Sequence, residues 1–104
     1  MKTITENNLS WVDIEKPTQK DIDWLKSNFN FHPITLNELI PSSQREKVEH
    51  FNDYLFLVTF VPIFSEKKRT TTPVEVDFLI TRDYLITVHN QSLEPIKTFA
   101  EKCQ

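Results

Sequence analysis

None of the 104 residues is glycine, where ordinary proteins carry about 7%. Every turn or helix end that needs a left-handed backbone must therefore use a bulkier residue, and Asn is the one that accepts it most readily. The same lack excludes whole function classes. A P-loop needs glycine so that backbone N–H groups can wrap a phosphate. A dinucleotide fold needs it where the chain meets a pyrophosphate. The Gly-x-Ser-x-Gly nucleophile elbow is ruled out as well.

The length suits one domain with a modest core. At 38% hydrophobic residues the chain is too apolar for a disordered tail. The net charge of -3 and the lack of a basic stripe argue against nucleic acid as a partner. Lys67-Lys68-Arg69 reads as a solvated loop tip. The single cysteine, Cys103, allows neither an internal disulfide nor a thiolate zinc site and favours a reducing compartment. The N-terminal residues lack the apolar core of a signal peptide. The longest apolar run, Tyr54 to Phe64, falls far short of the ~20 residues of a membrane helix.

Leu9 to Ile14 alternates as a strand. Thr18 reads as a helix N-cap with Asp21 at the capping-box position, and Ile22, Leu25 and Phe29 follow on one face. Asn30 suits a left-handed stop. His32-Pro33 opens a shorter helix with Ile34, Leu36, Leu39 and Ile40 as its apolar face, and Pro41-Ser42-Ser43 ends it. Lys47 to Phe51 is a short strand, and Asn52-Asp53 a turn. Tyr54 to Phe64 predicts a strand covered on both faces in mid-sheet, with Pro62 ending regular pairing. Ser65 to Thr72 reads as a loop. Val74, Val76, Phe78 and Ile80 alternate with Glu75 and Asp77 as a half-exposed strand, and Tyr84 to His89 returns as a hairpin. A helix starts near Leu93 or Pro95 and has no stop signal before Gln104. The expected fold class is α/β (α+β), a mixed parallel and antiparallel sheet with helices packed on it, in one domain spanning residues 1–104.

His32, His50 and His89 form no metal motif. Ser42 and Ser43 could meet a histidine and Asp53 or Asp77, but no elbow or oxyanion donor accompanies them. No enzyme is expected. Glu46 and Glu49 flank Lys47 on an exposed strand edge. Glu75 and Asp77 share a strand face and could hold a hard cation, though a solvated face is the ordinary reading. Glu38 should point outward from the short helix. Alone it makes a weak site, which a second protein could complete, because Mg2+ keeps several waters.

Three segments resemble the CorA family of magnesium transporters. They are Trp11-Val12-Asp13-Ile14 with Pro17-Thr18; Phe31 to Ile40 followed by Gln44-Arg45-Glu46-Lys47-Val48-Glu49; and Asp83 to His89. The middle one is the most specific. It matches an aliphatic-His-Pro-Leu helix followed by Gln-Arg-Pro-Lys-Val-Glu. The resemblance implies the N-terminal domain of a divalent-cation (Mg2+/Co2+) channel, on the cytoplasmic side of the cell membrane. Its partners would be its own stalk and transmembrane helices, beyond these residues, and neighbouring subunits of a homopentamer. It also implies regulatory Mg2+ between cytoplasmic domains, held in part by the acid of the His-Pro helix, here Glu38. Asn37 stands where the family often has a second acid, Glu46 replaces a proline and Asn30 a common glycine. The pore signature Gly-Met-Asn is missing, so conduction is not assigned to these residues. The alternative is a freestanding protein-interaction module with the same fold and no transport role.

Overall fold

The computed structural model describes residues 1–40 and 45–91. The expected helix end at Pro41-Ser42-Ser43, the final helix and Cys103 lie outside the described residues.

The first element was not expected from the sequence. Strand β1 (Lys2–Glu6) pairs antiparallel with β2 (Leu9–Glu15), with Glu6 opposite Leu9. Asn7 and Asn8 connect them with φ of 51° and 67°. Two successive positive φ values are the geometry of a type I′ hairpin turn, whose twist matches that of the strands. Asn here does what glycine does elsewhere. Lys16 (φ 52°), just after β2, and Arg69 (φ 51°) also take left-handed backbone, at a cost of about 1–2 kcal/mol each. Lys16 is held there by its N–H, which donates to the His89 carbonyl at 2.7 Å.

Helix α1 (Gln19–Asn28) starts with the expected capping box. The Asp21 carboxylate accepts from the Thr18 N–H at 2.8 Å, and the Thr18 hydroxyl accepts from the Asp21 N–H at 3.4 Å. Ile22 and Leu25 are buried, and Phe29 stacks on Phe31 with ring centroids 5.0 Å apart. Asn30 is not a left-handed cap. The helix ends earlier, at Phe29, which is extended (φ -136°). Asn28 closes the last turn instead, its side chain donating to the Trp24 carbonyl at 2.8 Å.

Helix α2 (Pro33–Asn37) is capped by His32, whose Nδ1 accepts from the Ile34 N–H at 3.1 Å. Its buried residues are Thr35 and Leu36, with Leu39 just beyond, whereas Ile34 and Ile40 are exposed. Five residues are too few to present the wide apolar face that the sequence suggested.

Strands β3 (Lys47–His50), β4 (Leu55–Ser65), β5 (Thr70–Ile80) and β6 (Tyr84–His89) complete a six-stranded sheet of order β1-β2-β6-β5-β4-β3. Only β2 and β6 are parallel, so the sheet is mixed as expected. The expectation for β4 needs two corrections. It lies next to the edge strand β3, and only Phe56 and Val58 along it are fully buried, with Phe64 60% exposed. Pairing also does not stop at Pro62. It runs through Pro62↔Pro73 to Ser65↔Thr70. β3 pairs no further along β4 than Val58, and β6 no further along β5 than Val76. Neither proline therefore has a strand on its outer side that needs its missing N–H.

Alternate residues divide the sheet into two faces. Val12, Ile14, Phe56, Val58, Leu79, Ile86 and Val88 form one apolar cluster with Ile22, Leu25, Leu36 and Leu39 from the helical segment. Burying side chains of this size contributes roughly 1.5–3 kcal/mol each. On the other face Val74 and Val76 pack with Val61, Ile63 and Phe78.

Candidate functional site

The candidate site lies where α2 ends beside β3. Tyr54 anchors the start of α2: its hydroxyl accepts from the His32 N–H at 3.0 Å and bonds the Thr35 hydroxyl at 2.8 Å. Glu38 follows as the C-cap, its N–H donating to the Thr35 carbonyl at 3.1 Å. Lys47 is set by the β3–β4 register, opposite Val58.

Glu38 does not simply point into solvent. Its side chain is 29% exposed, and its carboxylate is ion-paired and hydrogen-bonded with the Lys47 ammonium. Lys47 also reaches Glu49 at 3.2 Å and lies 5.3 Å from the centre of the Phe56 ring. Burial alone would lower the Lys47 pKa. Hydrogen bonds and charge attraction from Glu38 and Glu49 overcome that and raise it. Glu38 and Lys47 are thus brought together, as the sequence did not predict.

The Glu75–Asp77 pair also departs from expectation. Asp77 is only 2% exposed, lying on the helix-covered face between Val58 and Val88 in the cross-strand register. Burial, then the hydrogen bond and charge of Glu75, then the charge of Glu38, push its pKa up to about 8, against a smaller pull from Lys47. Among the described residues Asp77 Oδ1 has no hydrogen-bond partner. The sequence carried a hint of this. Leu79 has the same parity as Glu75 and Asp77, so their face could not be wholly solvated.

A second polar group occupies the opposite face. The Trp11 Nε1–H donates to the Thr87 hydroxyl at 3.0 Å, and that hydroxyl donates to Asp13 Oδ1 at 2.5 Å. His89 Nε2 meets the same oxygen at 2.8 Å, while its Nδ1 meets the Gln91 carbonyl at 2.6 Å. Both ring nitrogens face acceptors, and an imidazolium satisfies both. Burial would lower the His89 pKa, but its hydrogen bond to Asp13, then that to the Gln91 carbonyl and the Asp13 charge, raise it. Burial would likewise raise that of Asp13, yet its bonds to His89 and Thr87 lower it. The group ties together the parallel strands β2 and β6, with Asp13 opposite Thr87. It is a structural clamp.

Among the described residues no three His, Cys, Asp or Glu side chains meet as a metal-ligand set. Glu38 is the right donor type for Mg2+, which takes one or two carboxylates and keeps waters. Its side chain is partly exposed, so it is within reach of a cation. It does not form a site by itself.

The description CorA-like Mg2+ transporter protein matches residues 6–104. The chain belongs to the CorA family. This CorA-family chain is 30% identical over 79 residues to Bacillus subtilis YfjQ, named as a metal ion transporter, covering 76% of the chain and 24% of YfjQ. It is 30% identical over 81 residues to the Saccharomyces cerevisiae magnesium transporter ALR2, covering 76% of the chain and 9% of ALR2. It therefore spans a minor part of the length of these relatives. The soluble domain of CorA from Methanocaldococcus jannaschii shares the fold with a TM-score of 0.72 at 19% identity, over 90% of this chain and 36% of that one. The ZntB cytoplasmic domain from Vibrio parahaemolyticus does so with a TM-score of 0.73 at 15% identity, over 91% and 39%. No helix among the described residues of the CorA-family chain is long and apolar enough to cross a membrane.

Proposed function

We propose that this chain is the regulatory domain of a divalent-cation transporter, sensing Mg2+ on the cytoplasmic side and performing no catalysis. The observation that carries this reading is the CorA-family match over residues 6–104, together with the shared fold. The domain works with a stalk, a transmembrane region and neighbouring copies in a homopentamer. Glu38 supplies one carboxylate at a subunit boundary, and the neighbour supplies the rest of the ligand set. Empty carboxylates at such a boundary repel one another. A bridging cation favours the closed packing by its higher affinity for that state, and its loss when Mg2+ is scarce frees the ring to open.

Limited proteolysis of the detergent-solubilised transporter tests this. Mg2+ should slow cleavage of the wild-type protein. Glu38→Ala should need about tenfold more Mg2+ for equal protection, because the site loses a charged ligand. Equal protection at equal Mg2+ in both proteins would overturn the role of Glu38.

A further inference from the structure

We infer that Lys47 is a built-in counter-ion for Glu38, one that a divalent cation must displace in order to bind. The inference rests on the proposed cation role of Glu38 and adds how that site is tuned. The Lys47 ammonium holds the Glu38 carboxylate, and both side chains are partly buried, at 21% and 29% exposure. β3–β4 pairing fixes the Lys47 backbone, and its head group lies 5.3 Å from the centre of the Phe56 ring. The ammonium is therefore placed by the fold and is not a chance surface contact.

Mg2+ binds carboxylate oxygen at about 2.0–2.1 Å and holds its water shell tightly. The ammonium sits on Glu38 Oε2, and Mg2+ arriving at either carboxylate oxygen would meet that positive charge at close range, so the ammonium opposes binding until it moves away. The surroundings make an exchange feasible. When Lys47 leaves Glu38 it keeps Glu49, already at 3.2 Å, so its charge stays paired. Asp77 lies in the same cross-strand row as Lys47, beyond Val58, with Glu75 beside it on that face, and its charged form is attracted by Lys47 and repelled by Glu38.

The arrangement also favours charge two over charge one. A monovalent ion entering at Glu38 brings no more charge than the ammonium it replaces, whereas a divalent ion brings twice as much. Lys47 thus sets a threshold. It holds the site shut to potassium and sodium and raises the Mg2+ concentration at which the site fills.

The test is a titration of the detergent-solubilised transporter with MgCl2, read as protection from limited proteolysis. Lys47→Met keeps the apolar stem over Phe56 and removes the charge. It should bring the half-saturating Mg2+ concentration down by about threefold to fivefold. Lys47→Arg, which keeps the charge, should stay near wild type. Added KCl should compete with Mg2+ in Lys47→Met and not in the wild type. A Lys47→Met transporter that needs as much Mg2+ as the wild type overturns the inference, as does a Lys47→Arg transporter that needs as little as Lys47→Met. These failures are separate from failure of the regulatory reading. Unchanged Mg2+ protection in the Glu38→Ala transporter removes that reading whatever the titration gives. Unchanged affinity in Lys47→Met removes only the counter-ion.

Discussion

Asp77→Asn is expected to stabilise the domain by about 3 kcal/mol near pH 8 and to flatten its dependence on pH. Asp77 is 2% exposed and its pKa lies at about 8, against an ordinary value of 3.8. The folded chain therefore keeps a proton that the unfolded chain has already released. The sign follows from this. The stabilisation is complete below the ordinary value, declines as pH rises from there, and is gone once pH passes about 8. Asn resembles the neutral acid, donates to Glu75 in the same way, and has no proton to lose. A single group shifted this far would change stability by up to about 6 kcal/mol, and sharing charge with Glu75 and Lys47 reduces that. Thermal melts at several pH values check it. The wild-type midpoint should fall between about pH 5 and pH 8 more steeply than that of Asp77→Asn, and the variant should melt ~10 °C or more above the wild type near pH 8. Matching slopes in the two proteins would show that Asp77 is ionised in the folded state.

The second large effect is expected on the other face of the sheet. Asp13→Ala should cost about 3–5 kcal/mol, since removing one partner of a buried ion pair strands the other. His89 is 3% exposed and Thr87 2%, so neither recovers its lost bond from water. Two pH limits bound the contribution. The lowered Asp13 pKa gives stability that is present above about 4 and lost as pH falls through the folded value. The raised His89 pKa gives stability that is complete below about 6.5 and lost as pH climbs through the folded value. The pair therefore contributes most between about pH 4 and 6.5. Urea unfolding near pH 6 measures it. Asp13→Asn, which keeps one acceptor, should lose less than Asp13→Ala. A loss below about 1 kcal/mol in Asp13→Ala would mean that the clamp is not needed.

What the sequence revealed was local. Thr18 with Asp21 marks a helix start because both capping bonds span three residues, and His32 before Pro33 does the same for α2. The Tyr84–His89 strand and the mixed sheet were readable from alternation and turn residues. What stayed hidden depends on partners far along the chain. Asp13 and His89 are 76 residues apart and meet only because β2 and β6 run in parallel. The alternation of β5 suggested a solvated acid at Asp77, but its side chain lies between Val58 and Val88 on the face that the helical segment covers. Pro62 signals a break by itself, and only the register that sets it opposite Pro73 shows why it makes none. Strand β1 was not legible because its hairpin uses Asn7-Asn8 with no glycine to announce the turn. At the candidate site Glu38 was singled out only by the resemblance of the His-Pro helix, and its pairing with Lys47 was not foreseen, since it depends on where β3 docks.

Cation flux through the reconstituted transporter, measured as Mg2+ is varied on the side facing this domain, tests the central claim most directly. If the domain senses Mg2+ through Glu38, wild-type flux falls as Mg2+ rises, and Glu38→Ala needs about tenfold more for the same closure. If wild type and Glu38→Ala close at the same Mg2+ concentration, or neither responds, the domain does not regulate transport through this carboxylate.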